Sequence, residues 1–502
     1  MFKKQYFSIL LWKSLVYIMG VFSLLIVTPT LTDQPKIFGI YSFCASLIVF
    51  FSYADLGFIT SSRKFASEYV AKKKQKAEIA VTSFSSLVLL LICLPISGII
   101  LFFSFRPNII ISDLVSRSEY LISSNLLLIL ACSFPILVLQ RIVQIIYSVR
   151  LKDAFVYRLE IFAIFLRIIS VLYFFSDGKY MIVEFFLFSN VVTFISLVIL
   201  VVIAYRRFDY NWLFFIKCLR FRKTIYQKVS KLAFASLFVS ISWLLFYEID
   251  IFLITTINGA LMAAYYAVAF NIINILRNLL GTVYYPFVVK FNYMVTESKS
   301  AMKEFIYRVL KFGNYIILPG ILTLICFSEP IIVSWLGNKY LNSIIILQLL
   351  FTSYIFYPLN TLAGSVQTVL MNVRLLYIIS GTQLLIQYLG LFMVFKFFDA
   401  NLSLAAIKIF CGLATSVILI LWLSNYFSMN WGKLIKSFFL PPIIVSTIFL
   451  IPMYKFIDNI AIQKSLVYLF SFTAAMIIMY LLILVCLAFF DKQFKMQVIS
   501  II

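Results

Sequence analysis

Eight ionisable residues interrupt long apolar stretches of this chain: Asp55, Arg141, Glu160, Arg167, Glu248, Asp250, Arg277 and Lys408. An ionised group in hydrocarbon is costly, so such residues normally face a partner or a hydrated cavity. The arginines suit one chemistry in particular, because a planar guanidinium can hold the oxygens of a phosphate in bidentate fashion. Arg167 and Arg277 fall near mid-depth of their segments and are the first choice for gripping an anion; Arg141 is the third. Arg141 lies nine residues before the turn near Arg150 and Glu160 ten after it. That places both at one depth, about 14 Å along adjacent helices, where an ion pair explains them as well as a bound ligand does. Glu248 and Asp250 are two apart, on different faces of one helix, and so form no acidic pair. Asp55, beside Gly57 and ahead of Arg63, suits a capping or anchoring role.

Other chemistries are excluded by what is missing. Histidine is absent from all 502 residues, which removes the usual general base and the commonest metal ligand. The seven cysteines show no paired spacing for a zinc site or a disulfide framework. No Gly-rich nucleotide loop is present, so ATP is not the direct energy source. The expectation is no metal, no cofactor and no catalytic residue.

The elements that must position these charges are membrane helices. The composition is 63% hydrophobic and 12% charged, with mean hydropathy +1.05, too apolar for a chain solvated by water. A span needs about 20 apolar residues, and such runs recur from end to end, whereas a membrane barrel would alternate polar and apolar over about ten. The reading is an all-α integral membrane protein with about fourteen transmembrane helices. The first, near 9–31, is interrupted by Lys13 and followed by no small-x-small cleavage site, so it reads as an uncleaved helix. Spans two and five fall near 37–60 and 153–175. Alternate connections carry the cations, among them Arg63, Lys64 and Lys72 to Lys74 after the second span and a dense group after the sixth. The positive-inside rule then sets both termini in the cytoplasm. The net charge of +23 is a topology signal rather than a nucleic-acid footprint, being spread over many short loops.

Sliding the chain by 224 residues aligns Tyr41 with Tyr265, Leu56 and Gly57 with Leu280 and Gly281, Leu94 and Pro95 with Leu318 and Pro319, and Arg150 with Arg374. An offset of six spans preserves orientation across the bilayer, as a parallel repeat requires. The expected organisation is a six-helix bundle over 1–205, a linker over 206–231, a second six-helix bundle over 232–426 and two further helices over 427–502. The linker interleaves Arg and Lys with Trp212, Phe214 and Phe215, a pattern for lying on the cytoplasmic membrane surface.

Gly39 and Tyr41, Asp55 to Gly57, Asp250 with Gly259 and Tyr265, and Leu336, Gly337 and Tyr340 occur in an order and spacing that resembles the polysaccharide flippases of the multidrug/oligosaccharidyl-lipid/polysaccharide exporter superfamily. The resemblance in motif covers roughly the first 375 residues. It implies translocation of an undecaprenyl-diphosphate-linked oligosaccharide, such as an O-antigen unit, from the cytoplasmic to the outer leaflet of a bacterial inner membrane. It also implies a polysaccharide polymerase and chain-length proteins as partners. A diphosphate moving through a low-dielectric path needs a cationic, hydrated cavity, the role given to Arg167, Arg277 and Arg141. The match at Asp250 makes it the first candidate for binding a coupling proton or sodium ion, ahead of Glu160 and Asp55.

Two other readings compete. A drug or cation exporter of the same superfamily would line its cavity with acids rather than arginines. A membrane-embedded glycan polymerase, ligase or glycosyltransferase would need a large outer loop bearing catalytic groups, and the longest here, 104–119, holds just Asp113 and Glu119 as acids.

Overall fold

The computed structural model describes residues 2–53, 57–176, 178–294, 299–370, 373–394, 400–430, 432, 435–460, 462–491 and 494. Among them every regular element is a helix, since in hydrocarbon a helix satisfies its own backbone groups. By contact the chain divides into two units, Met1–Ala264 and Tyr265–Ile502.

The first unit holds α1 (Phe2–Leu31), α2 (Pro35–Tyr53), α3 (Phe58–Ala71), α4 (Gln75–Phe105), α5 (Arg117–Ser148), α6 (Asp153–Phe174), α7 (Ile182–Phe208), α8 (Trp212–Lys217), α9 (Lys223–Trp243), α10 (Asp250–Asn258) and the start of α11 (Ala260–Met294). α4 packs along α5, α1 along α6, and α7 against α5. Gly57, in the left-handed region at φ 74°, starts α3, a conformation that glycine adopts without strain. A capping box, with Ser116 accepting from the Glu119 N–H and Glu119 reaching back to Ser116, starts α5.

The second unit contains the rest of α11, then α12 (Lys299–Cys326), α13 (Ser328–Leu336), α14 (Asn342–Ser353), α15 (Tyr357–Val369), α16 (Val373–Val394), α17 (Ala400–Phe427), α18 (Leu440–Asp458) and α19 (Leu466–Phe490). α16 packs on α17, and both α18 and α19 pack on α12. Lys311 of α12 pairs with Asp491 at 2.7 Å, and Tyr315 Oη lies 3.1 Å from the same carboxylate oxygen. These contacts tie the chain just beyond α19 to α12.

Among the described residues eleven helices are long and apolar enough to cross a membrane, or twelve if Ser240–Glu248 and Asp250–Asn258, bent by 46°, count as one span. The expected second span corresponds to α2, apolar but short, and the fifth to α6, which carries Asp153, Arg158, Glu160 and Arg167. Both are helical; length and charge set them apart from the eleven. The protein is multi-pass and all-α.

Gly39 on α2 packs directly against the backbone carbonyl of Ala260, leaving no room for a Cβ. Asp113 caps the same helix start, accepting from the Ala260 N–H at 2.8 Å, and Gly259, at φ 89°, supplies the left-handed turn before it. A Gly39→Val change must push α2 away from α11. It is expected to lower the amount of folded protein recovered from membranes several-fold, measured by fluorescence-detected size exclusion; wild-type recovery would show that the close approach is dispensable.

Candidate functional site

The first unit contains a partly open cavity of about 600 Å³. Its wall is built from α2 to α7, and α6 supplies the most regular part. Asp153, Glu160 and Arg167 all line it and follow one another at seven-residue steps, close to two helical turns, or about 10.5 Å each. One face of α6 is therefore a charged stripe running the depth of the cavity. α5 faces it with Gln140, Arg141 and Gln144, α7 with Thr193 and Ser196, and α3 with Arg63. Tyr157 of α6 adds a phenol, and the remaining lining is largely apolar, from residues such as Ile92, Phe134 and Val138.

The charged groups are mutually arranged. Glu160 interacts electrostatically with Arg167 and, more weakly, with Arg141, and Asp153 interacts with Arg63. Arg167 is anchored by Nη2, which donates to Thr193 Oγ1 at 2.8 Å and to the Ser189 carbonyl at 3.4 Å. Its Nε is buried with no hydrogen-bond partner. A buried guanidinium N–H without a partner is costly, and an anion with free oxygens would satisfy it. Three guanidiniums against two carboxylates leave the cavity with a net positive lining, while the amides and hydroxyls of Gln140, Gln144, Tyr157, Thr193 and Ser196 match the hydrogen-bonding needs of a sugar.

Of the residues singled out from sequence, Arg141, Glu160 and Arg167 come together around this cavity. Arg277 lies on α11 in the second unit, half-buried and electrostatically coupled to Tyr357; it is not part of the lining. Asp250 is fully buried in the first turn of α10, at the break that follows a π-helical turn over Leu244–Glu248, and is likewise outside the cavity wall. Asp55 lies outside the described residues. Asp153, Arg63, Gln140 and Gln144 were missed. The signal was available for the first, since a seven-residue spacing of charges along an otherwise apolar helix marks a single face.

The glycines and tyrosines of the sequence motifs do structural work. Gly259 and Gly337 end α10 and α13 at positive φ, 89° and 84°, and Tyr340 is fully buried with its ring 5.8 Å from that of Tyr265.

A family model described as polysaccharide biosynthesis protein matches residues 31–345. No curated protein sequence matches the chain. Among solved structures, the lipid II flippase MurJ in an inward closed conformation superposes with a TM-score of 0.70 at 16% identity, covering 97% of this chain and 99% of that one. An inward-facing multidrug resistance MATE family transporter of the MOP superfamily gives 0.61 at 13% identity, covering 83% and 96%. A further MATE structure, in a bent conformation, gives 0.51 at 11% identity, covering 86% and 97%. At these identities the likeness is one of fold.

Proposed function

Because the chain belongs to the polysaccharide biosynthesis protein family and has the fold of MOP-superfamily transporters, we propose that it is a flippase for an undecaprenyl-diphosphate-linked oligosaccharide. The unit moved would be an O-antigen or other surface-polysaccharide repeat, carried from the cytoplasmic to the outer leaflet of a bacterial inner membrane with both termini in the cytoplasm. The observation that carries this reading is the arginine-lined cavity in the first unit.

In this mechanism the diphosphate enters on the guanidiniums of Arg167 and Arg141, both of which line the cavity of the first unit. Arg167 is half prepared for it: Thr193 and Ser189 hold one edge of the guanidinium, while Nε lacks a partner. The sugars occupy the polar part of the lining in water, and the prenyl tail remains in lipid, so the low-dielectric barrier is met by the diphosphate alone and is offset by charge-assisted bonds. Two six-helix bundles, 1–205 and 232–426, rock to expose the site alternately. Glu160, placed among the same guanidiniums, competes with the diphosphate, and Asp250 and Asp55 are the other carboxylates available to a coupling proton or sodium ion. A cation exporter would need the opposite balance of charge in this lining.

The test is the glycan profile of a strain lacking the gene. Translocation by this protein requires that polymerised surface glycan be lost, that lipid-linked units accumulate on the cytoplasmic side, and that wild type restore both. Single units displayed on the outer face of the deletion strain would mean that translocation is intact, and a polymerase or ligase role would replace this one.

A further inference from the structure

The linker between α7 and α9 has two unlike sides. Its inner side is docked on the first unit. Tyr210 is fully buried and shares a 2.7 Å hydrogen bond with Thr82, Ser83 Oγ donates to the Phe215 carbonyl at 2.7 Å, and Trp212 Nε1 donates to the Val201 carbonyl at 3.2 Å. Asn211 caps α8 by accepting from the Phe214 N–H, and Gln75 bonds the carbonyls of Phe208 and Asp209. The linker is a built element, held at a fixed rotation.

That rotation turns large apolar side chains outward. Leu213 is 75% exposed, and Ile216 and Phe221 are each 62% exposed. The same stretch exposes the cations Arg206, Arg207, Lys217, Arg220 and Lys223, and Asp209 is the single acid between 206 and 231. Exposed apolar side chains interspersed with exposed cations match neither bulk water nor the hydrocarbon core. They match the boundary between them, where apolar groups enter the acyl region and cations meet phosphate.

We propose that the α8 linker is a binding surface for anionic phospholipid headgroups, with Leu213, Ile216 and Phe221 inserted into the leaflet and Lys217, Arg220 and Lys223 on the lipid phosphates. The charge complementarity selects an anionic lipid over a zwitterionic one, and the docked inner side means that little ordering is lost when lipid binds. The first unit is thereby held at a set depth at its basic end. This surface is separate from the cavity, and it stands whether or not the transported molecule is a lipid-linked glycan.

The experiment uses the full chain with Cys132→Ser and Cys486→Ser, the other cysteines being buried, and Ile216→Cys carrying an environment-sensitive fluorophore. The protein is reconstituted into phosphatidylcholine vesicles containing, at equal mole fraction, brominated phosphatidylglycerol or brominated phosphatidylcholine. Both brominated lipids are expected to quench the probe, the anionic one about threefold more strongly. In Lys217→Gln/Arg220→Gln/Lys223→Gln the two should quench alike. Because those three side chains are exposed, the triple variant tests charge without touching the core, and Leu213→Cys offers a second probe position. Quenching by aqueous iodide but by neither lipid would place this face in water, or against a soluble partner, and overturn the proposal. Equal quenching by both lipids without the triple substitution would overturn its anionic selectivity.

Discussion

Arg167→Ala is expected to reduce restoration of polymerised surface glycan in the deletion strain by about 100-fold, with the protein still present in the membrane. The size follows from the contacts. A hydrogen bond to a charged group is worth about 1.5–3 kcal/mol, and roughly 2.7 kcal/mol corresponds to a hundredfold change in binding. Arg167→Lys keeps the charge but loses the fork, so one ammonium must choose between Thr193 and the phosphate. An intermediate loss of about tenfold is expected. Arg141→Ala should act in the same direction, whereas Arg277→Ala, outside the cavity lining, tests whether the sequence-based choice of Arg277 matters at all. Binding of undecaprenyl diphosphate to the purified protein separates recognition from movement. Should Arg167→Ala bind this lipid as wild type does and restore glycan fully, the cationic path through the first unit is wrong even though the family is right.

The second large effect concerns stability. Glu78, at 1% exposure, receives both guanidinium edges of Arg150 at 2.6 and 2.8 Å, and the guanidinium also bonds the Ile146 carbonyl and lies over the Phe208 ring at 5.1 Å. Glu78→Ala leaves that cation without its carboxylate, a loss of about 3–5 kcal/mol for a buried pair. In a unit of this size that corresponds to a fall of roughly 5–10 °C in apparent Tm, read by thermal aggregation in detergent. Glu78→Leu/Arg150→Met should recover most of it, because removing both charges also removes the desolvation cost. An unchanged midpoint in Glu78→Ala would show that water already screens the pair. The pair also supports the lipid-facing linker, since Phe208 and Gln75 connect it to the docked side of α8.

The candidate site was partly legible before the structure. Arg141 and Glu160 were placed at one depth by counting outward from a single turn, and they line one cavity. Arg167 and Arg277 looked equivalent by depth, yet just Arg167 belongs to that lining. Depth follows from residue count along a helix, but the direction a side chain takes follows from how the helix is rotated against its neighbours. The charged stripe of α6 was readable as spacing; that it faces Gln140 and Gln144 of α5 was not.

Hydropathy, the cations between spans and the positions of glycine are local properties of the chain. They were enough to determine an all-α membrane protein, because in a bilayer each helix must satisfy its own backbone whatever packs beside it, but not the breaks inside the expected spans 230–257 and 342–371, at Leu244–Glu248 and Tyr354–Phe356. The exact number of spans escaped the same logic at α2 and α6, where shortness and charge blur the signal. Tertiary structure alone decided which charges meet. Glu78 finds Arg150 across 72 positions, Asp113 caps α11 across 147, and Arg167, which lines the cavity, turns its Nη2 toward Thr193. Those pairings depend on side-chain packing between helices, which sets each helix's rotation and which no single segment encodes.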